Sequence, residues 1–198
     1  MGTPRVARLL LAAALVLAAA GEISARYEGN LNVFAGQKWL RSGDWAPVDR
    51  QDQIGLMLAF GEERAAIHFA IDAFLAKGEL SDPPSTPNAL IGGSSAEFAI
   101  GVRKVWELGA TRPHVGAGAN VVGVDEERRV GTSGTVTNED RGYGVWVDAG
   151  VTWRIASHLN LGIEARYSSV RAALGEGTIP RDVDAGGAHV GLLIGYGW

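Results

Sequence analysis

The chain has 198 residues, of which 46% are hydrophobic, and its formal net charge is −4. An acidic chain gains nothing from a phosphate backbone, which argues against nucleic acid as a partner. The absence of cysteine excludes disulfides, thiol catalysis and cysteine-based zinc sites. Glycine, with 28 residues, is present at about twice its usual share of ~7%.

The N-terminus predicts an export signal. Arg5 and Arg8 precede an unbroken apolar run, Leu9–Ala20, which ends in small residues suited to signal cleavage. The run is too short for a membrane-spanning helix, which needs about 20 apolar residues. We therefore expect residues 1–25 to be a cleaved secretory signal and residues 26–198 to form one domain. Cleavage is expected between about residues 20 and 25, and removal of residues 1–20 with the two arginines changes the net charge from −4 to −6.

Eight runs in which alternate residues are apolar predict eight strands. Each run has about the length of a tilted membrane strand, roughly 9 to 11 residues. The connections after the second, fourth and sixth runs are short and the others are long, a pattern typical of outer-membrane barrels. The predicted fold is all-β, an eight-stranded antiparallel up-and-down transmembrane β-barrel. The runs lie near residues 30–40, 52–62, 65–76, 96–107, 112–123, 143–155, 159–169 and 188–198.

Three long connections predict solvated, mobile loops. Residues 77–93, 125–142 and 171–187 are rich in Gly, Ser, Thr, Pro and charged residues. Five of the six prolines after the signal fall in long connections, and Pro113 begins a strand. This distribution supports the strand assignment, because proline avoids strand interiors.

The two faces of the predicted strands differ sharply. One face is apolar, as in Ile67, Phe69 and Ile71, and its only charged residue is Lys104. The other face is polar and rich in glycine. Alternation by itself also suits a soluble barrel with its apolar face inside. The length of the apolar face and the crowding of glycines on the polar face favour lipid outside and a narrow polar lumen inside.

Large aromatic residues predict two interfacial belts. Phe60, Trp106, Trp153 and Trp198 recur at gaps of 46, 47 and 45 residues, each at the end of an alternating run. Rings at one height mark a membrane interface. The remaining aromatics assigned to the interfaces are Trp39, Tyr143 and Tyr167.

Charged residues on the polar face predict a closed, salt-bridged interior. Near-balance between five positive and four negative charges favours mutual pairing over a sign-selective pore. An unpaired buried charge would cost several kcal/mol. If the sixth and seventh strands turn near Ser157, Asp148 and Arg166 face each other. The predicted network consists of Lys38, Asp72, Glu97, Arg103, Arg112, Asp148, Arg154, Glu164 and Arg166.

Histidines do not predict a metal centre. His68, His114 and His189 also point inward, but the first two lie near one end of the barrel and the third near the other. A metal site needs three or four ligands at one place. We therefore expect no metal and no cofactor.

The C-terminus resembles the sorting signal of bacterial outer-membrane barrels. Its last residue is aromatic, and an apolar or aromatic residue stands at every second position before it. These residues are Val190, Leu192, Ile194, Tyr196 and Trp198. Residues 112–118, 147–154 and 161–168 resemble small OmpA-like and opacity-type barrels. The chain ends with the predicted eighth strand, so the peptidoglycan-binding domain of OmpA is not expected.

The resemblance implies a monomer in a Gram-negative outer membrane, in contact with lipid and lipopolysaccharide. It also implies periplasmic chaperones and the outer-membrane assembly machinery as partners during biogenesis. The expected role is structural or surface-interacting, through long extracellular loops. The alternatives are a narrow passive channel and a lipid A modifying enzyme. The seventh strand faintly resembles a deacylase motif, but Tyr167 and Val170 replace its histidine and asparagine, so no catalytic site is expected.

Overall fold

The computed structural model describes residues 27–62, 65–81, 89–130, 136–174 and 181–198. The predicted signal, residues 1–25, lies outside them. Within the described ranges, no helix is long and apolar enough to cross a membrane. The elements in chain order are β1 (Tyr27–Trp39), α1 (Ser42–Trp45), β2 (Arg50–Glu62), β3 (Ile67–Ser81), β4 (Ala89–Val105), β5 (Thr111–Val130), β6 (Val136–Arg154), β7 (Leu159–Leu174), β8 (Arg181–Asp184) and β9 (Gly187–Gly197).

The strands form a closed antiparallel barrel. Each strand from β1 to β7 pairs with the next, and β9 pairs with both β7 and β1. The pairs Arg171 with Asp184 and Ser168 with Gly187 share one register, so β8 and β9 together are the eighth strand. Across their interruption, the backbone N–H of Ala185 still donates to the Val170 carbonyl at 2.9 Å. The predicted eight-stranded up-and-down barrel is confirmed.

The stagger of the strands sets their tilt. Following the pairing around the barrel from Gly29 leads back to β1 at Trp39, ten residues further along. An offset of about 33 Å around eight strand spacings of about 4.8 Å corresponds to a tilt of roughly 40°. At that tilt the 13 residues of β1 rise by about 33 Å, enough for the apolar band of roughly 25 Å. The 20 residues of β5 rise by about 50 Å and project well beyond it.

Several segments predicted as loops are strands. Residues 77–81 belong to β3, residues 125–130 to β5 and residues 171–174 to β7. The prediction of loops there was wrong, because a hairpin needs only its backbone hydrogen bonds to continue. Beyond the apolar band neither face is apolar, so the alternation disappears although the pairing persists. The tips of these hairpins, residues 82–88, 131–135 and 175–180, lie outside the described residues.

The apolar face lies outside, as predicted. Phe69 and Leu192 are 64% and 66% exposed, whereas Asp72 and Arg166 are 1% and 3% exposed. A soluble barrel would show the reverse. Lys104, the charged residue of the outer face, lies with its Nζ 5.2 Å from the centre of the Trp106 ring.

The lumen also holds apolar side chains, which the alternation of polar and apolar residues did not predict. Phe34, Met57, Phe74 and Leu193 form a buried cluster on the side of β1, β2, β3 and β9. A second cluster fills the end opposite the short turns, where α1 inserts Trp45 into the barrel. The Trp45 Nε1–H donates to the Asp184 carbonyl at 2.7 Å. This outer plug consists of Leu40, Trp45, Val122, Val124, Val170, Ala172, Val183 and Ala185.

Candidate functional site

Glycines make room for the charged side chains inside the barrel. Gly116 stands between Arg103 and Asp148 in the pairing of β4, β5 and β6. A Cβ atom at Gly116 would lie 2.5 Å from Asp148 Oδ1 and 2.8 Å from Arg103 Cγ. The missing side chain therefore lets Arg103 and Asp148 meet across an intervening strand. Alternation of small and large residues explains why glycines crowd the polar face.

Arg103 joins two buried carboxylates. Its Nη1 and Nη2 donate to Asp72 Oδ1 and Oδ2 at 3.0 and 2.7 Å, a bidentate pair. Its Nε and Nη2 donate to Asp148 Oδ2 at 3.0 and 2.7 Å. Both carboxylates have no exposed side-chain surface. Each therefore depends on this guanidinium in place of water.

Arg166 crosses the lumen to the opposite wall. Asp148 and Arg166 face each other in the register of β6 and β7, as predicted. The ion pairs of Arg166 nevertheless run to Asp72 Oδ2 at 2.8 Å and Glu97 Oε1 at 2.9 Å. Its guanidinium carbon lies 4.2 Å from the centre of the inward-facing Trp146 ring. This stacking directs the long side chain into the lumen and away from its neighbour on β6.

The predicted network therefore divides into one cluster and several separate contacts. Asp72, Glu97, Arg103, Asp148 and Arg166 form a continuous hydrogen-bonded cluster. The other four predicted residues bond elsewhere. Lys38 donates to Ser95 Oγ and the Ala185 carbonyl, Arg112 pairs with Glu107, Arg154 donates to Asn160 Oδ1, and Glu164 meets His114.

A mixed group of ligands lies beside this cluster. One ligand atom from each of His114, Asp148 and Glu164 lies within 4.8 Å of the others. His114 Nε2 is 2.8 Å from Glu164 Oε2. Gly150 stands between His114 and Glu164 in the pairing of β5, β6 and β7. The positions of the histidines alone did not predict this group, because two of its three members are carboxylates. The sequence did indicate that all three residues lie at inward-facing positions of neighbouring strands.

A serine and a histidine form a hydrogen-bond chain that resembles a nucleophile with its base. Ser168 Oγ lies 3.1 Å from His189 Nε2, and His189 Nδ1 lies 2.9 Å from Gln53 Oε1. Ser168 and His189 are fully buried. A nucleophile must reach its substrate, so this chain serves the packing of the lumen. Tyr167, which replaces the histidine of the deacylase motif, is exposed on the outer face, and so is Ser169, which stands two residues further at the position of the motif's serine.

The aromatic residues predicted for the interfaces occupy the outer face. Trp106 and Trp153 lie at the short-turn ends of β4 and β6, and Trp39 ends β1 at the opposite side. Tyr143 and Tyr167 lie within β6 and β7, because those strands continue beyond the apolar band. Phe60 and Trp198 are half-buried.

The C-terminal residue is held in the barrel wall. The Trp198 N–H donates to the Gly29 carbonyl at 3.0 Å, and the Gly29 N–H donates to the Trp198 carbonyl at 3.1 Å. The side chain of Trp198 stacks beside Tyr196, with ring centres 6.5 Å apart. Val190, Leu192 and Ile194 face outward along β9. The segment that resembles a sorting signal thus completes the contact that closes the barrel.

These features define a small eight-stranded antiparallel barrel with an apolar exterior and an ionic lumen. No family model matches the chain. A search of curated proteins also finds no match. Solved structures do match, and they are small outer-membrane barrels, which confirms the predicted resemblance at the level of the fold.

Two such proteins illustrate the similarity. The crystal structure of Ail, the attachment invasion locus protein of Yersinia pestis, in complex with the heparin analogue sucrose octasulfate superposes with a TM-score of 0.58 at 9% identity. The alignment covers 87% of this chain and 99% of that one. The outer membrane protein OprG from Pseudomonas aeruginosa gives a TM-score of 0.53 at 14% identity, over 87% and 94% of the two chains. At these identities the comparison shows the fold.

Proposed function

We propose that the protein is an integral outer-membrane barrel with a closed interior and a structural or surface-interacting role. The observation that carries this proposal is the apolar exterior. Phe69, Ile100 and Leu192, on three different strands, are each more than half exposed. Continuous apolar surface of this extent is unfavourable in water and marks contact with a membrane or partner. Lipid hydrocarbon removes that cost around the whole barrel.

The contents of the lumen support a closed interior. Arg103 and Arg166 span it between carboxylates on β3, β4 and β6. Beyond them, Trp45 and its apolar neighbours fill the end opposite the short turns. An ion that passed through would have to break buried ion pairs and enter an apolar layer, and both steps are costly.

Conductance in planar bilayers tests the closed interior. The purified protein should insert without producing a steady open level. A steady open level that changes in Arg166→Ala would refute the plug and favour the narrow channel. Lys104→Ala is the matched control, because Lys104 lies on the outer face and its loss leaves the lumen unchanged.

Membrane location is tested separately. After cell fractionation the protein should remain with the outer membrane through an alkaline wash, which releases proteins bound only at the surface. Recovery in the soluble fraction would overturn the assignment of the apolar exterior to lipid. Mass spectrometry of lipid A from expressing cells tests the enzymatic alternative, and an unchanged spectrum is expected.

A further inference from the structure

Three side chains from adjacent strands converge in the half of the barrel near the short turns. His114 on β5, Asp148 on β6 and Glu164 on β7 are all buried, and one ligand atom of each lies within 4.8 Å of the others. Imidazole nitrogen and carboxylate oxygen are ligands for divalent transition metals. All three residues project from strands of the barrel wall, so the hydrogen bonds between the strands fix their positions. The group therefore has the ligand types and the rigidity of a metal site.

Both carboxylates keep an oxygen that no protein group satisfies. Asp148 Oδ2 accepts hydrogen bonds from Arg103, but the buried Asp148 Oδ1 has no hydrogen-bond partner. Glu164 Oε2 lies beside His114 Nε2, and the buried Glu164 Oε1 also has no partner. A buried acceptor without a partner costs about 1–3 kcal/mol, and a charged one costs more. Two such oxygens in one cluster are readily explained by a bound cation.

The balance of buried charges in the lumen also indicates this group of residues. Among the described residues that are buried and charged, four are carboxylates and three are bases. Arg103 pairs with Asp72 and Asp148, Arg166 pairs with Asp72 and Glu97, and Lys38 donates to Ser95 and to the Ala185 carbonyl. Within the described part of the chain, the recorded partner of Glu164 is His114, not a lysine or arginine. Among the described buried carboxylates, Glu164 is therefore the one whose ion pair is with histidine and not with lysine or arginine.

Space for a further ligand lies next to His114. A small cavity is lined by Asn30, Asn32, Arg103, His114 and Thr152, among others. The rest of the lining is apolar, Met57, Ala59, Val105 and Leu193, and the five polar residues offer hydrogen-bond partners for an ordered water molecule. The cavity lies toward the short-turn end of the lumen, because His114 and Thr152 stand close to the ends of β5 and β6 there. A water molecule in it could complete a metal's coordination shell.

We propose that His114, Asp148 and Glu164 bind a divalent transition metal, for which zinc is the probe. The metal would lie between His114 Nε2 and the two carboxylates, with a water molecule from the cavity as a further ligand. One nitrogen and two carboxylates suit Zn²⁺, whereas Mg²⁺ prefers oxygen ligands with several waters. The bound ion would tie β5, β6 and β7 together across the ligand cluster.

Zinc binding to the folded barrel in detergent tests the proposal. After incubation with zinc chloride and gel filtration, elemental analysis should find one zinc per chain. His114→Gln and Glu164→Gln should each weaken binding at least tenfold in titration calorimetry, since each removes a direct ligand. His68→Gln is the matched control, because His68 is also buried and points inward but lies outside the cluster, near Glu28. It should bind zinc like the wild type.

Two results would overturn the proposal. One is folded wild-type protein that retains no zinc at saturating zinc chloride. The other is an equal loss of binding in His68→Gln and His114→Gln, which would indicate a general effect on the lumen. Folding of each variant is verified by a difference in gel mobility between unheated and boiled samples. If a variant does not fold, the visible spectrum of cobalt-loaded wild-type protein tests the proposal. Ligand-field bands from cobalt bound at this site are expected. Their absence would contradict the proposed site.

Discussion

Replacement of Arg103 by methionine should destabilise the barrel strongly. The guanidinium makes two hydrogen bonds to Asp72 and two to Asp148, and both carboxylates are fully buried. Methionine has a similar volume, but it leaves the carboxylates of Asp72 and Asp148 without the guanidinium that each contacts. Removing one partner of a buried ion pair costs about 3–5 kcal/mol. We expect the free energy of unfolding to fall by about that amount.

Urea unfolding in lipid vesicles measures the effect, with tryptophan fluorescence and gel mobility as probes. Lys104→Met is the matched control, because Lys104 follows Arg103 on β4 but faces outward, over the Trp106 ring. Its loss should cost about 1 kcal/mol or less, the range of an exposed cation–π contact. Addition of Asp148→Asn to Arg103→Met should recover about 1 kcal/mol or more, since a buried amide costs less than a buried carboxylate.

A loss below about 1 kcal/mol in Arg103→Met, equal to that in Lys104→Met, would refute the reasoning. It would mean that water replaces the guanidinium in the lumen. In that case the interior would be hydrated, and the proposed closed interior would be contradicted.

Three further predictions concern packing and assembly. Trp45→Ala should lower the free energy of unfolding by about 3–5 kcal/mol, because it empties the centre of the outer plug, and urea titration measures this loss. Gly150→Ala should cost about 1–3 kcal/mol in the same assay, because its Cβ would meet Glu164 Oε2; Gly43→Ala, with nothing within 4 Å, should be nearly neutral. Deletion of Trp198 should lower the yield of folded protein in the outer membrane, and an unchanged yield would contradict the role assigned to this terminus.

The sequence by itself determined the faces of the strands. Side chains alternate along a strand with a period of two, so the positions of Phe69 and Asp72 on opposite faces follow from local pattern. The short connections likewise fixed which strand ends meet, and Asp148 opposite Arg166 could be predicted from the turn near Ser157. This information is local, and it does not depend on how the barrel closes.

The sequence could not show the full length of the strands. Beyond the apolar band, β5 and β6 continue as a hairpin whose residues form no apolar face. Their charges and glycines therefore resemble a loop. The insertion of Trp45 was hidden for a different reason: it lies in a connection between strands, where no periodicity indicates which side chain turns inward.

Only the tertiary structure decided which inward groups meet. The ten-residue stagger on closure sets the height of each strand against those across the lumen, so Arg166 reaches Asp72 on β3 and not its neighbour on β6. Because Gly150 has no side chain, His114 and Glu164 meet across the intervening strand β6. Alternation fixes the side on which a residue lies, whereas contacts across a closed barrel depend on tilt and stagger, which exist only once the last strand pairs with the first.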